Sequence, residues 1–529
     1  MLPLNNKPVN VSLVYTSDIH GHIMPLNYGT NETSANGLAR YATAVKQIRN
    51  THDHLIIIDN GDLIQGTPLM THYVKEHAHK ANPMIQAMNK INIDASVIGN
   101  HEFNFGQPIL RAAMDQSNFP WLAANVLDAE TNEPKYGPPY IIKKLQNGIK
   151  IAILGVTTHY IPNWESPEHI AGIHFRDAYE TVKTWVPSIH KKEQPDLLIV
   201  SYHGGFERDI HTGEATEALT GENQGYAICN IEGVDVLLTG HQHRQLTDIV
   251  NDVLVIQPGN NAFFYGKVDI QFTKCAAGWE MIDKKASLHT LAQTPPDKEI
   301  VNLTKEIEAS TQQWLDQPVG YIKGDMTIND PFQARIRKHP FIEFIQKVQM
   351  EVSGADISVT ALLNNNSKGF NQTVTMRDVV ANYMYPNTLV VLELQGKDIR
   401  AALEKSAAYF MLNENGDIVV NPAFEKPKPQ HYNYDMWEGI TYTINIAKPI
   451  GSRVEKLCYR GDPITTEESY HVVLNNYRAS GGGDYSMFKN KPVVKEIQKD
   501  TVELIQTYFE KHPTVDATVT DNFKIIAEA

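Results

Sequence analysis

The segment VSLVYTSDIH, Val11–His20, decides the fold class because a strand-length apolar run ends there in Asp18 and His20. Short apolar runs that alternate with helical and loop segments predict buried strands of an α/β fold. The run Ile149–Thr158 predicts one such strand without a polar ending. Four other segments repeat the full pattern: HLIIIDNGD (His54–Asp62), ASVIGNH (Ala95–His101), DLLIVSYH (Asp196–His203) and VDVLLTGHQH (Val234–His243).

The composition limits the classes of protein to which the chain can belong. It has 529 residues, 61 acidic against 47 basic side chains, and a formal net charge of −14. The hydrophobic fraction of 42% is enough for large buried cores and excludes wholesale disorder. The acidic balance argues against a nucleic-acid polymer as partner, and no apolar run approaches the roughly 18 residues that a membrane helix needs. Three widely spaced cysteines exclude a disulfide framework and a cysteine-rich zinc module.

The length of the chain suggests two or three domains. The sequence pattern changes between residues 295 and 340, which places a boundary in that region. Val301–Asp316 is predicted to be helical, a connection rich in glycine and proline follows, and Phe341–Gly354 again has apolar residues at helical spacing. We therefore predict three segments: a first domain over residues 1–331, a linker or hinge helix over 332–353, and a second α/β domain over 354–529.

The polar residues that end the five runs include seven side chains of metal-binding type. In open α/β sheets, ligands bind outside the carboxyl ends of the strands, so five strands would bring these side chains to one edge. Residues i and i+2 of an extended segment point to the same face, which would pair Asp18 with His20 and His241 with His243. The seven candidates are Asp18, His20, Asp62, Asn100, His203, His241 and His243.

This set contains oxygen and nitrogen donors but no sulfur, which suits Zn²⁺, Mn²⁺, Fe or Co. Seven ligands exceed what one tetrahedral ion needs, but they fit two divalent ions that share a carboxylate. Two metals about 3.5–4 Å apart are an arrangement used for phosphoester hydrolysis. Each motif alone also has a structural interpretation, such as a turn at Gly-Asn-His. The five motifs together, each after an apolar strand, favour a dinuclear site.

The strings DIHGH, DNGD, GNHE, YHGG and GHQH resemble, in order, the signature blocks of the calcineurin-like metallophosphoesterase superfamily. The C-terminal half resembles the substrate-binding domain of the 5′-nucleotidase family. The resemblance implies an α/β protein with an N-terminal β-sandwich flanked by helices and a C-terminal α/β substrate-binding domain. The longer strings DNGDLIQGTPL, GNHEFNFG, YPNTL and NNYRASGGG are most similar to one branch of the family, the bifunctional 2′,3′-cyclic-nucleotide 2′-phosphodiesterase/3′-nucleotidases.

The resemblance also implies roles for individual residues. His101 would stabilise the transition state or protonate the leaving oxygen, a role that suits histidine because its pKa lies near neutrality. Asp62 would bridge the two metal ions. The implied ligands are Asp18, His20, Asp62 and His243 for one ion, and Asp62, Asn100, His203 and His241 for the other.

Two positions depart from the 5′-nucleotidase pattern. That branch tends to carry an aspartate three residues after the catalytic histidine, and this chain has Asn104 there. An asparagine can orient the imidazole of His101, but it cannot stabilise an imidazolium as a carboxylate does. The Gly-Gly-Ile-Arg contact to phosphate or ribose is absent, and the corresponding region is LNNNSKGF, Leu363–Phe370. Both departures favour the cyclic-phosphodiesterase branch.

The second domain offers residues for nucleotide binding in the strings HYNYDMWEGITY and NNYRASGGGDYSMF. The resemblance suggests that two tyrosines sandwich the nucleobase, with Tyr432 as an alternative to Tyr434. Stacking of a base on an aromatic ring contributes roughly 1–3 kcal/mol and tolerates any base. Glycines would let the backbone approach a ligand closely, and an arginine would contact phosphate or ribose. The candidates are Tyr434, Tyr485, Arg478, Gly482 and Gly483.

We therefore expect a metal-dependent hydrolase with two divalent metal ions and a small nucleotide substrate. The expected reaction opens 2′,3′-cyclic nucleotides at the 2′-oxygen and then removes phosphate from 3′-nucleotides. The alternatives are a 5′-nucleotidase or nucleotide-sugar hydrolase, and a catalytically weak nucleotide-binding protein. A DNA nuclease would share the metal motifs, but the acidic balance argues against it. We expect no nucleic-acid polymer or membrane as partner, and a monomer or weak oligomer.

The N-terminal segment Met1–Ser17 has one lysine, a polar Asn-Asn pair and then a strand-like run. It lacks the cationic region and long apolar run of a secretory signal. This predicts a cytoplasmic location, whereas relatives with the same motif set are typically exported.

Overall fold

The computed structural model of the chain describes residues 7–217, 219–276, 278–383, 387–425, 429–497 and 499–528. They divide into two compact units between Thr311 and Gln312, and Tyr28–Thr30 belongs to the second unit. This division lies earlier in the chain than the predicted end of the first domain at residue 331. The segment predicted as a hinge, 332–353, lies inside the second unit and includes the helix Pro340–Ser353. Its role as a hinge stays a prediction.

The first unit contains two six-stranded sheets, and three of the five motif-bearing strands lie side by side in the first of them. Val9–Thr16, Leu55–Asp59 and Ala95–Val97 run parallel, so their carboxyl ends meet at one edge. The full order of this sheet is Gly278–Thr290, Phe264–Cys275, Val9–Thr16, Leu55–Asp59, Ala95–Val97 and Trp121–Leu122.

The second sheet contains the other two motif-bearing strands, Leu197–His203 and Val236–Thr239, which pair in parallel. Lys150–Thr157, predicted from its apolar sequence, lies parallel on the other side of Leu197–His203. All six predicted strands are therefore confirmed. The full order is Gln245–Val250, Val253–Pro258, Val236–Thr239, Leu197–His203, Lys150–Thr157 and Tyr140–Lys144.

The two sheets form a β-sandwich because each buries one apolar face against the other. Leu13 and Ile56 of the first sheet belong to the same buried cluster as Ile153 and Ile199 of the second. The outer face of the second sheet packs against helix Ala178–Glu193. The other helices of this unit are Leu38–Arg49, Pro68–His72, Pro83–Ile91, Gly106–Asp115 and Gly225–Ile228, and the division between units falls within Lys298–Leu315.

The second unit is also α/β. Its five-stranded sheet has the order Asp435–Glu438, Ile357–Ala361, Ser469–Asn475, Leu389–Gln395 and Val493–Ile497. A four-stranded sheet has the order Asp462–Pro463, Val454–Tyr459, Ile440–Asn445 and Phe523–Ile526. The helices are Pro331–Ile336, Pro340–Ser353, Met376–Asn382, Gly396–Ala407, Asn476–Ala479 and Thr501–Lys511.

Two further expectations from the sequence concern single segments. Across the part of the chain that the structure describes, no helix combines the length and apolar character required to cross a bilayer. Of the string YPNTL, Tyr385 and Pro386 lie outside the described residues.

Candidate metal centre

The seven predicted metal ligands converge in the first unit, although not by the alternation of extended strands that the sequence suggested. The motif-bearing strands end at or before their polar clusters, and five of the seven ligands have the left-handed backbone conformation. Non-glycine residues rarely adopt a positive φ, and such residues cluster at functional sites. These ligands are Asp18 (φ 54°), His20 (φ 50°), Asp62 (φ 56°), His241 (φ 66°) and His243 (φ 56°).

The first group of ligands consists of Asp18, His20 and His243, whose donor atoms all lie within 4.8 Å of one another. The Nε2 atoms of the two histidines are 3.0 Å apart. Asp18 Oδ1 lies 3.4 Å from His243 Nε2 and 4.0 Å from His20 Nε2. Two imidazole nitrogens and a carboxylate oxygen therefore point at the same small volume.

The second group consists of Asp62, His203 and His241, again with donor atoms within 4.8 Å of one another. His203 Nε2 lies 3.1 Å from Asp62 Oδ2. Asn100 joins this group, because its Oδ1 is 3.1 Å from His203 Nε2 and 2.9 Å from His241 Nδ1. The two groups are adjacent, since His203 Nε2 is also 4.0 Å from Asp18 Oδ1. His241 and His243, paired by the i, i+2 argument, belong to different groups.

The outward nitrogen of each of three histidines is hydrogen-bonded, which fixes the nitrogen that faces the centre. His20 Nδ1 lies 3.3 Å from the Gln65 carbonyl, and His203 Nδ1 lies 2.7 Å from the Asn60 carbonyl. His241 Nε2 lies 3.1 Å from the Glu222 carboxylate. Metal-binding histidines commonly donate their second N–H to such acceptors. This arrangement and the all-oxygen-and-nitrogen donor set fit two divalent cations.

Burial and neighbouring charges set the electrostatics of the centre. Burial alone would raise the pKa of Asp18, but the hydrogen bond to His243 and the charge of His203 lower that pKa to about 2. Burial lowers the pKa of His20 to about 3, which leaves a neutral imidazole. Burial would also lower the pKa of His203, but the carboxylates of Asp62 and Asp18 raise it to about 10. Buried carboxylates thus concentrate negative charge where cations would bind.

Glu102, which the sequence analysis did not select, supports the loop that carries Asp62. Its side chain is fully buried and its carboxylate accepts four backbone N–H bonds. Burial and the nearby Asp62 carboxylate raise its pKa to about 7. The GNHE string contains this residue, so its place beside the ligands was visible in the sequence. The four donors are the amides of Asp62 (2.8 Å), Leu63 (2.6 Å), Ile64 (3.2 Å) and Gly99 (2.6 Å).

His101 lies beside the first ligand group, where its ring meets that of His20 edge-to-face at a centroid distance of 5.2 Å. Its backbone N–H donates to Asp62 Oδ1 at 2.8 Å. Its Nδ1 lies 2.6 Å from Asn104 Oδ1, the side chain that the sequence led us to expect beside the imidazole. Asn104 Nδ2 in turn donates to Glu165 Oε2 at 2.6 Å.

Three residues of this centre, Glu165, Glu222 and Trp164, come from loops without a recognisable motif. Trp164 stacks on the ring of His241 at a centroid distance of 5.3 Å and an interplanar angle of 29°. Only the fold brings these side chains to the ligands, so sequence reasoning had no signal with which to find them.

The predicted nucleotide-binding residues lie in the second unit, and the structure packs three of them in its interior. Tyr434 and Tyr485 are both 0% exposed, and Arg478 is 3% exposed. The Tyr485 hydroxyl is 2.8 Å from Ser406 Oγ and donates to the Asn433 carbonyl at 2.9 Å. Rings buried in this way present no face to a base, so this structure does not support the predicted sandwich.

Arg478 is bound to protein groups on every side rather than free for phosphate or ribose. It forms a two-pronged ion pair with Asp435 at 2.9 and 3.0 Å, and its guanidinium lies 4.0 Å from the centroid of the Tyr485 ring. We call Tyr434, Asp435, Arg478 and Tyr485 the buried arginine cluster. Gly482 and Gly483 are packed against it, since the Gly482 carbonyl accepts from Arg478 and a Cβ at Gly483 would lie 2.4 Å from Arg478 Nη1.

Two protein-family models match this chain. Residues 11–245 match the calcineurin-like phosphoesterase model, and residues 318–490 match the model of the 5′-nucleotidase C-terminal domain. All of the ligands described above fall within the first match. The buried arginine cluster falls within the second.

Curated relatives include nucleotide phosphoesterases of bacteria. The trifunctional nucleotide phosphoesterase protein YfkN of Bacillus subtilis is 26% identical over 583 residues, which cover 98% of this chain and 39% of that protein. This chain thus spans well under half the length of that relative. The 2′,3′-cyclic-nucleotide 2′-phosphodiesterase/3′-nucleotidase of Haemophilus influenzae is 26% identical over 98% of this chain and 88% of its own length.

Among solved structures, a Staphylococcus aureus protein assigned as a 5′-nucleotidase and crystallised with α-ketoglutarate has a TM-score of 0.85 and 34% sequence identity. The match covers 98% of this chain and 100% of that one.

Proposed function

The chain belongs to the 5′-nucleotidase family of calcineurin-like metallophosphoesterases, and on that premise we propose that it hydrolyses 2′,3′-cyclic nucleotides at the 2′-oxygen and then 3′-nucleotides. Membership establishes a metal-dependent nucleotide phosphoesterase, and the proposal names its substrates. The observation that supports it most strongly is the pair of adjacent ligand groups with His101 at their edge.

The residues of the centre have separable tasks. When two divalent ions are bound, they supply Lewis-acid charge for the phosphoryl oxygens and a nucleophile at neutral pH. Asp18, His20 and His243 would hold one ion, and His203, His241 and Asn100 the other, with Asp62 shared between them. These side chains are held by Glu102, Gln65, Asn60 and Glu222, so little reorganisation would be needed on binding.

His101 would assist departure of the ribose oxygen. Attack of a water oxygen on phosphorus forms one P–O bond and releases a proton to solvent, while the bond from phosphorus to the ribose 2′-oxygen breaks. The leaving oxygen takes a proton from His101, whose Nδ1 is held by Asn104. The product 3′-monoester then loses phosphate by the same steps, with the ribose 3′-oxygen leaving.

A 5′-nucleotidase or nucleotide-sugar hydrolase is the second candidate, because the Staphylococcus aureus structure at 34% identity is assigned as a 5′-nucleotidase. The cyclic-phosphodiesterase proposal is supported by Asn104, which replaces the aspartate typical of 5′-nucleotidases, and by the Haemophilus influenzae relative. A catalytically weak nucleotide-binding protein is a third candidate, and the complete ligand set argues against it.

A phosphate-release panel separates these candidates. The purified protein is assayed with 2′,3′-cyclic, 3′- and 5′-nucleotides, each with Mn²⁺, with Zn²⁺ and with chelator. We expect kcat/KM to be higher for 2′,3′-cyclic AMP and 3′-AMP than for 5′-AMP, with no turnover in chelator. Faster release from 5′-AMP would contradict the proposal in favour of a 5′-nucleotidase, and tight binding without turnover would favour a binding protein.

A further inference from the structure

A chain of hydrogen bonds runs outward from His101 and ends on a carboxylate that no motif predicts. His101 Nδ1 lies 2.6 Å from Asn104 Oδ1, and Asn104 Nδ2 lies 2.6 Å from Glu165 Oε2. The side chain of Glu165 is only 7% exposed. Glu165 belongs to the loop between the strand Lys150–Thr157 and the helix Ala178–Glu193, in the same unit as the metal centre.

The carboxylate determines which way the Asn104 amide points. An ionised carboxylate only accepts hydrogen bonds, so the Asn104 atom that faces Glu165 must be the NH₂ group. The carbonyl oxygen of Asn104 then faces His101 and also only accepts. His101 Nδ1 must therefore carry a hydrogen. This leaves Nε2 as the nitrogen that can exchange a proton with a bound substrate.

Glu165 is itself held in place by two donors on its other oxygen. Oε1 accepts from the backbone N–H of Ser166 at 2.8 Å and lies 2.8 Å from His169 Nδ1. The hydrogen bond from His169 to Glu165 raises the pKa of His169, which favours a positive charge beside the carboxylate. The orientation of Glu165 is therefore fixed, and its second oxygen, Oε2, accepts from Asn104 Nδ2.

We propose that Glu165 is a positioning residue that acts through Asn104 to keep Nδ1 of His101 protonated in both the neutral and the imidazolium form. Nε2 is then the nitrogen that gives its proton to the leaving oxygen from the imidazolium and is left bare in the neutral Nδ1–H tautomer. This inference rests on the proposed function for its catalytic meaning. The tautomer is a property of the protein alone. In this chain the carboxylate of Glu165 does not contact His101 directly, because the side chain of Asn104 lies between them.

The isosteric variant Glu165→Gln tests the proposal. Its amide oxygen would stay with the Ser166 N–H, which places its NH₂ group against Asn104 Nδ2, two donors face to face. Asn104 would rotate to relieve this contact and present its own NH₂ group to His101 Nδ1. Loss of an outer residue that orients an active-site group typically costs about 10–100-fold, and we expect a loss of that size in kcat with little change in KM.

Glu168→Gln is the matched control, because Glu168 is an exposed acid in the same loop and the change removes the same charge. We expect its kcat to equal that of the wild type. A kcat for Glu165→Gln equal to that of Glu168→Gln would overturn the proposal.

The double variant Asn104→Asp with Glu165→Gln separates tautomer control from loop stability. The carboxylate introduced at position 104 would accept from both His101 Nδ1–H and the new amide at position 165, which restores the direction of every hydrogen bond. We expect kcat to recover to within about threefold of the wild type, since hydrogen-bond geometry and direction are restored. A double variant as slow as Glu165→Gln would overturn the proposal.

Nitrogen-15 NMR of histidine side chains gives a readout that does not depend on turnover. We expect His101, assigned by comparison with His101→Ala, to show a protonated Nδ1 in the wild type and a bare Nδ1 in Glu165→Gln. A bare Nδ1 in the wild type, or no change in the variant, would overturn the proposal. If the wild type releases no phosphate from any nucleotide, the proposed function fails and this measurement still tests the tautomer.

Discussion

The metal centre of the first unit and the buried arginine cluster of the second both drew attention by their sequence motifs, yet the structure organises them in opposite ways. In the metal centre, side-chain atoms of metal-binding type crowd one small volume, as His20 Nε2 and His243 Nε2 do at 3.0 Å. In the arginine cluster, donors face acceptors, as Arg478 does with both oxygens of Asp435. The first arrangement is typical of a cation site, and the second is typical of a buried ion pair.

This difference indicates how a binding centre is distinguished from a packing motif. The metal centre concentrates non-glycine residues in the left-handed backbone conformation, which costs conformational energy, around buried carboxylates whose charge a cation would balance. The arginine cluster is fully buried and matched in charge. Substitutions should therefore abolish activity in the first region and lower the free energy of unfolding in the second.

The largest expected effect is the loss of turnover when a ligand of the centre is removed. Asp62→Asn and His203→Ala should each lower kcat by at least about 10³-fold, because both ligand groups depend on these donors for charge and geometry. The measurement is metal-stimulated phosphate release at saturating substrate. Asp53→Asn, an exposed change of the same kind outside the centre, should retain full activity. Full turnover in either ligand variant would contradict the claim that the first region is a metal centre required for activity.

Removal of Arg478 should instead act on stability. Arg478→Met leaves the Asp435 carboxylate buried without its partner, and the loss of one member of a buried pair lowers the free energy of unfolding by about 3–5 kcal/mol. Urea unfolding of the chelated protein measures this, with Arg460→Met as the control because Arg460 pairs with Asp356 on the surface. Equal stability of the two variants would show that the cluster is not a structural element.

Glu102→Gln should weaken metal binding while the ligands remain in place. Glu102 now accepts hydrogen bonds from four backbone N–H groups, and the amide NH₂ of the variant would face two of them. The Asp62 loop would shift because two donors would then face each other. The loss of such a supporting group typically lowers metal affinity about 10–100-fold, which a Mn²⁺ titration by calorimetry would measure. Unchanged affinity would mean that the loop holds its shape without the carboxylate.

The smallest expected effect separates two buried tyrosines whose hydroxyl groups differ in their hydrogen bonding. Tyr434 Oη has no hydrogen-bond partner among the described residues, whereas Tyr485 Oη contacts Ser406 and Asn433. Tyr434→Phe should leave the free energy of unfolding unchanged or slightly higher, and Tyr485→Phe should lower it by about 1–2 kcal/mol. Thermal unfolding of the two variants side by side tests this order, and the reverse order would contradict it.

The sequence was most informative where local chemistry decides the outcome. The run Val11–Asp18 and its four counterparts predicted the strands and candidate ligands that the fold brings together, since an apolar strand and the polar residue that follows it are adjacent in the chain. The left-handed conformation of His243 could not be read from the sequence, because it depends on the loop around it. The burial of Tyr485 and the contact of Glu165 with Asn104 depend on residues far apart in the chain.

The central claim, a dinuclear metal centre in the first unit, is tested most directly by anomalous diffraction from a crystal grown with Mn²⁺. Two anomalous peaks about 3.5–4 Å apart are expected, one beside His20 and His243 and the other beside His203 and His241, with Asp62 between them. A single peak at the centre, or peaks only elsewhere on the chain, would contradict the account.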